Sequence, residues 1–569
     1  MRSHAAYRLK LPTNIYLIGL FLLVILQACS FGQTTATVTV NATSSLGVIP
    51  AAQYGINTAT WDPLMFDTSI PELLGVMGAK ALRYPGGSWS DNYHWQTNSG
   101  TPGSGVYPNG NDNFSNFITG LAQPTGTSPI ITVNYGSNAD GTGGGDPSEA
   151  AAWVQYANVT NSYGVKYWEI GNEIYGNGYY TPYWNWETDL HFTDQTPENR
   201  VGNSSLSPAT YGQNVNAYVS AMKAVDPSIK VGAVMELADG SLSSTDWNSN
   251  VLSQCGNSVD FVVMHWYPEF NTDSDSGLLA NPANIASYMA NMRAQINEYC
   301  GAHSSNVQIF ITETNADAGN PGKQLVSLVN ALFAADNVTT WLENGAANVD
   351  WWDLHNGPST TGDNDGSLFG NTGWGDEGVL STGNWPEPQA DLPFAPYYGL
   401  EMVGELGSPG DTMVSSTSTN GLLKVHSVKQ ANGHLGVMLI NEDPTNTVTV
   451  NVGLTGFSAP GPTVLYGYSE DPTYYGGGNW NVWTALPQVT GSSFTVTIPP
   501  YSIYSYILGS TIPQFDATST VPSEVQAGHP MTFAAYLRNF GGAPLDNGRT
   551  TFIVHDAAGN AVEIGRAHV

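Results

Sequence analysis

Charge is what this sequence has least of. Lys and Arg together number 16 in 569 residues, against 47 Asp and Glu. Only 11% of the chain is charged, where soluble domains average about 25%. The net charge is −31. Nucleic-acid binding needs clustered cations to neutralise phosphates, so a nucleic-acid partner is excluded, and a basic membrane-surface patch with it. Cysteine is as scarce: three residues cannot build a disulfide scaffold or a thiolate zinc site. Beyond the N-terminal segment no apolar run is long enough to read as a membrane span. Polarity comes instead from Asn, Ser, Thr, Gly and Tyr. The chain holds 16 Trp, 29 Tyr and 41% hydrophobic residues, enough to fill a large core. Such a surface suits neutral, hydroxyl-rich ligands. Adaptation of an exported protein to acidic surroundings explains it equally well. The length predicts about two to four domains.

Residues 1–32 read as an export signal. Arg2, Arg8 and Lys10 form its basic start, and Ile15–Leu26 an apolar stretch too short to span a bilayer. Leu26-Gln27-Ala28-Cys29 resembles a bacterial lipoprotein box. Two outcomes stay open: a lipid anchor through Cys29, giving an outer-surface or periplasmic lipoprotein of a bacterium, or cleavage near Gly32 and free secretion. An exported chain also allows a disulfide between the two remaining cysteines, Cys255 and Cys300.

From Gln53 to Gly357 short apolar strands alternate with amphipathic helical stretches. The expected strands are Gln53–Thr58, Ala81–Pro85, Ile130–Tyr135, Val165–Gly171, Ile229–Met235, Val259–Trp266, Val307–Thr312 and Val349–Leu354. Helical spacing covers Pro147–Ser162, Pro208–Val225, Asn284–Tyr299 and Lys323–Leu342. Eight strand–helix units predict an α/β fold, a (β/α)8 TIM barrel over 49–406, with a doubly wound open sheet as the structural alternative. After Leu406 the period changes to two, with abundant Val and Thr, which predicts an antiparallel β-sandwich over 407–510. The alternating N-terminal run, within 33–48, is expected to join that sandwich. Residues 511–562 read as a truncated Ig-like module. Residues 563–569 match the translation of a common sequencing adapter and are expected to be an artefact.

In a TIM barrel, chemistry sits where strands end at the C-terminal face. Read that way, strand two ends Arg83-Tyr84-Pro85-Gly86-Gly87, and strand three ends at Asn134-Tyr135. Strand four ends Trp168-Glu169-Ile170-Gly171-Asn172-Glu173. Strand six ends His265-Trp266-Tyr267, strand seven Thr312-Glu313, and strand eight carries Trp351-Trp352. Glu173 and Glu313 stand on strands that face each other across the barrel. Two carboxyls about 5–5.5 Å apart can flank one glycosidic bond, one protonating the leaving oxygen and the other attacking the anomeric carbon. Like charges so close push two pKa values apart, which separates the roles. Of Trp351 and Trp352, alternation points one into the barrel and one outward. An inward Trp face makes a platform for a sugar ring, and core packing is the competing reading. Tyr175, Tyr179, Tyr180, Tyr183, Trp184 and Trp186 crowd the insert after strand four, as a subsite wall or as loop packing.

These motifs resemble clan A glycoside hydrolases over residues 35–508. Arg83-Tyr84-Pro85-Gly86-Gly87 and Trp168-Glu169-Ile170-Gly171-Asn172-Glu173 look most like family 51 α-L-arabinofuranosidases. The resemblance implies a retaining enzyme with Glu173 as acid/base and Glu313 as nucleophile. Asn172 would bond the sugar 2-hydroxyl, and Tyr267 and Arg83 would hold Glu313 ionised. Asn134, His265, Trp351 and Trp352 complete the expected substrate-binding set. The surroundings of Glu313 depart from the family pattern, since Thr312-Glu313-Thr314 replaces an Asp-Glu-Trp context. The alternatives are therefore an endo-β-1,4-glycanase (glucanase or xylanase), a β-xylosidase or β-glucuronidase of the clan, or a non-catalytic carbohydrate-binding protein. The expected partner is a poly- or oligosaccharide. No cofactor or metal is expected: there is no His-Glu-x-x-His or phosphate-binding loop, and Gly373–Gly378 lacks the βαβ context of a dinucleotide site.

Overall fold

A computed structural model describes residues 34–176, 188–191, 208–270, 274–470 and 481–510, and the backbone of four short strands further on. Residues 1–32 with Cys29, and Tyr179, Tyr180, Tyr183, Trp184 and Trp186, lie outside the described residues. Most of the expected Ig-like module does too. Of it, Thr518–Thr520 pairs with Ala534–Tyr536 and Arg549–His555 with Ala561–His568.

Eight parallel strands close into a barrel in chain order: Ala52–Asn57, Ala81–Tyr84, Ser128–Val133, Tyr167–Ile170, Lys230–Val234, Phe261–Trp266, Gln308–Thr314 and Asn348–Trp351. Helices return the chain between strands. One of them, Pro147–Val154, starts where the Asp146 side chain accepts from the Ser148 N–H at 2.8 Å, an N-cap followed by Pro at the first helical position. The lower barrel interior is apolar: Ala52, Ala81, Ile130, Tyr167, Phe261, Val263, Phe310 and Ala347 form one buried cluster. Phe261 and Phe310 stack there at 4.4 Å, and burying each ring stabilises the barrel by about 2–3 kcal/mol. Above this floor the interior turns polar, with Arg83, Thr132, Glu169 and Thr312 all buried.

A ten-stranded sheet follows the barrel and folds over its own apolar core. The N-terminal strand Thr34–Val48 runs between Thr412–Ser418, antiparallel, and Val448–Thr455, parallel. Helix Leu328–Glu343 is buried along almost its whole length, as a helix pressed between two layers must be. Its Asp336 and Glu343 receive His426 of the sheet at 2.9 and 3.1 Å. Burial would lower the His426 pKa, but the two carboxylates outweigh it and push it up to about 10.

The expected Cys255–Cys300 disulfide is not formed. Both residues are buried free thiols, and the Cys255 thiol donates instead to the Val251 carbonyl of its own helix at 3.3 Å. Burial pushes the Cys255 thiol above its ordinary range, against the thiolate that disulfide chemistry needs. Among the described residues no helix is long and apolar enough to cross a membrane.

Candidate active site

The upper barrel is organised by Arg83, a guanidinium with 1% exposure. Its Nε and Nη2 donate to Glu169 at 2.8 and 3.2 Å, its Nη1 to Glu313 Oε1 at 2.7 Å and to Asn57 at 2.9 Å, and its Nη2 to Asn172 Oδ1 at 2.7 Å. A planar fork of five donors suits this arrangement; a lysine could make only part of it. Burial opposes the charge on Arg83, but Glu169 and Glu313 hold it firmly protonated.

Strand seven delivers Glu313. Its register with both neighbours shifts just after Ile311, a bulge of the kind that re-aims side chains. Consecutive residues thereby both reach the interior: Thr312 Oγ1 donates to Glu169 at 3.3 Å, and Glu313 meets Arg83. Tyr267 Oη donates to Glu313 Oε2 at 2.9 Å. Glu173 arrives differently, beyond the end of strand four, with φ +41. A non-glycine residue in that left-handed region costs about 1 kcal/mol or more, strain of a kind that collects at functional sites. Its Oε1 accepts from Tyr175 at 3.1 Å and meets His265 Nδ1 at 2.8 Å.

His265 stands between the two glutamates. Its Nδ1 is 3.5 Å from Glu313 Oε2, and its Nε2 is 3.0 Å from Thr312 Oγ1. Burial lowers its basicity, but Glu313 and Glu173 outweigh burial and raise its pKa. Ligand atoms of Glu173, His265 and Glu313 all lie within 4.8 Å of one another. That spacing alone could hold a divalent ion. Here Arg83 already supplies the positive charge, and each of the three atoms has a hydrogen-bonding neighbour. The arrangement fits two carboxyls flanking one bond better than a metal centre.

Asn172 keeps its Nδ2 without a partner although the residue is buried, a donor left for something not part of the protein. The Asn172 N–H donates to Asp91 at 2.8 Å, and Asp91 also accepts from the Tyr135 and Gly136 N–H groups at 3.0 Å each. Asp91 thus ties the ends of strands three and four together. Burial pushes its carboxyl up to about 8 in spite of those donors.

Trp352 lies at the site and Trp351 does not. Gly87, at φ +44, is where a Cβ would come within 2.7 Å of the Trp352 ring and 3.6 Å of Glu313 Oε1. Its indole N–H donates to Glu377 at 3.2 Å. Trp351 faces outward, fully buried, 6.2 Å from Phe333 of the helix Leu328–Glu343, so the platform expected of it is corrected to core packing. Asn134 is likewise corrected to a loop brace. Its amide donates to the Tyr93 carbonyl and Ser137 Oγ and accepts from the Ser137 N–H, so both of its donors are taken up within the loop. Glu169 and Asp91 were not singled out from the sequence. The available signal for Glu169 was an acidic residue at an inward strand position, matched by the inward Arg83.

No family model matches the chain. A probable α-L-arabinofuranosidase C from Aspergillus fumigatus is 25% identical over 217 residues, 33% of this chain and 35% of that protein. The match therefore spans about a third of the relative's length. Among solved structures, an α-L-arabinofuranosidase from Thermotoga maritima in complex with arabinose has a TM-score of 0.62 at 17% identity, covering 83% of this chain and 100% of that one. A bifunctional glucanase-xylanase from a metagenome library has a TM-score of 0.60 at 16% identity, covering 84% and 100%. The fold is a TIM barrel with a β-sandwich. It is the fold of the clan A glycoside hydrolases, family 51 arabinofuranosidases among them.

Proposed function

We propose that the chain is a retaining glycoside hydrolase acting on neutral plant-type polysaccharide or its side chains. The observation that carries this reading is the Glu173–His265–Glu313 constellation, two carboxyls on opposed strand ends with atoms within 4.8 Å. Protonated Glu173 gives its proton to the glycosidic oxygen as that oxygen leaves the anomeric carbon, and Glu313 forms the new bond to that carbon. Glu173, now a carboxylate, takes a proton from water. The water oxygen attacks the anomeric carbon, and Glu313 is released. Asn172 Nδ2 is free to bond the sugar 2-hydroxyl.

The relatives and the Arg83–Gly87 motif favour an α-L-arabinofuranosyl unit as the sugar. An endo-β-1,4-glycanase is the second reading, favoured by the half-buried Trp352 beside Glu313. Aryl α-L-arabinofuranosides, β-xylosides, β-glucosides and β-glucuronides, with dyed arabinan, xylan and glucan, separate the readings. Turnover of one class that vanishes in Glu313→Ala is expected. Inactivity on the whole panel would favour a carbohydrate-binding protein. We also infer export, with the N-terminal signal removed; the mass of the mature N-terminus decides between lipidated Cys29 and cleavage near Gly32.

A further inference from the structure

Beside Glu313, Gly86 and Gly87 form a bed for two indole rings. A Cβ on Gly86, at φ +127, would come within 2.7 Å of the Trp61 ring, as one on Gly87 would of Trp352. Trp61 and Trp352 have ring centroids 6.3 Å apart, and Trp89 sits 4.3 Å from Trp61. All three rings are half-buried, so each keeps part of its surface open. They come from the loops after strands one, two and eight, which are consecutive around the closed barrel. Tyr107 and Trp385, in the loops after strands two and eight, are 78% and 91% exposed.

This third of the rim lies across the barrel from Glu173. In double displacement the leaving group departs past the acid, and the sugar held by the nucleophile extends the other way. We infer that Trp352, Trp61 and Trp89 hold the sugar units on the non-reducing side of the cleaved bond, so that the substrate is a chain with at least two such units. Indole faces take the C–H faces of sugar rings. The loops 58–69, 85–113 and 352–394 contain no Lys or Arg and do contain Asp62, Asp363, Asp365 and Asp391. The chain is therefore neutral, and a uronate chain is repelled. The inference rests on the hydrolase reading and selects internal cleavage within it.

The test maps the cleaved bond in reducing-end-labelled tetra- to hexasaccharides of α-1,5-arabinan, β-1,4-xylan and β-1,4-glucan, with a galacturonate series as the charged arm. Cleavage with two or more units on the non-reducing side is expected in one neutral series and none in the galacturonates. Trp61→Ala and Trp89→Ala should lower kcat/KM on the tetrasaccharide about tenfold more than on the matching aryl monoglycoside. Thermal melting and the milder Trp61→Phe guard against misfolding. Release of single terminal units only, with equal losses on both substrates, overturns the inference and leaves the hydrolase reading standing. If nothing is hydrolysed, the hydrolase reading fails. Calorimetry of the same tetrasaccharides on Glu173→Gln then decides: tenfold weaker binding with Trp61→Ala supports the aromatic face, and no difference overturns it.

Discussion

Glu173 and Glu313 are the same side chain in two unlike settings. Glu313 comes from within a strand, at a bulge, and is fixed by Arg83 at 2.7 Å and Tyr267 at 2.9 Å. Glu173 lies past its strand, at φ +41, and its side chain is 17% exposed against 7% for Glu313. A nucleophile must be aimed, and a buried guanidinium fork does that. An acid/base must exchange protons with a leaving group and then with water, which asks for access. The difference in setting, more than the identity of the residues, supports the proposed roles.

The largest test of that asymmetry removes each carboxyl in turn. Glu313→Ala should lower turnover by at least about 10⁴-fold, and any rate regained with azide on an activated aryl glycoside should give a glycosyl azide of inverted configuration. Glu173→Ala should regain rate with azide on an aryl glycoside carrying an activated leaving group, giving a glycosyl azide of retained configuration. A retained azide product from Glu313→Ala with an inverted one from Glu173→Ala would reverse the assignment. Next is Arg83→Met, which leaves Glu169 and Glu313 as buried charges without their cation. A loss of about 3–5 kcal/mol in denaturant unfolding, together with loss of activity, is expected. Smaller again, Tyr267→Phe removes one donor to Glu313. Hydrogen bonds to charged groups are worth about 1.5–3 kcal/mol, so kcat/KM should fall about 10- to 100-fold. Tyr175→Phe, acting on the more exposed Glu173, should cost less than that.

The smallest effect lies outside the site and serves as its control. His426, at about pKa 10, starts from about 6.5 in the unfolded chain. Its folded value is raised, so its contribution is complete below about pH 6.5 and lost as pH climbs towards 10. Melting temperature should decline over that window, and His426→Gln should flatten the decline without changing the ratio of Glu173→Ala to Glu313→Ala activities.

Much of the site was legible because barrel strand ends are short and chemically distinctive. Arg83, Asn172, Glu173, His265, Tyr267 and Glu313 all fall there, and the structure brings them together. Trp351 and Trp352 were ambiguous because alternation gives opposite faces without saying which is which; the buried helix Leu328–Glu343 claims Trp351. Glu169 was hidden because its meaning lies in Arg83, 86 residues earlier. Asp91 and Trp61 sit in loops with no period to read. Asn134 occupies a strand end as the ligand residues do, but its neighbours Tyr93 and Ser137 consume its amide. The cysteines were a question of where a thiol points, which spacing does not encode.

Under the proposed roles Glu313 bonds to the anomeric carbon and Glu173 serves the leaving group and water in turn. Proton NMR of the first-formed sugar, from whichever aryl glycoside the wild type hydrolyses, reads this out. Two displacements at one carbon predict that the product appears first with the substrate's anomeric configuration and mutarotates later. An initial product of opposite configuration would mean a single displacement by water, with no bond to Glu313.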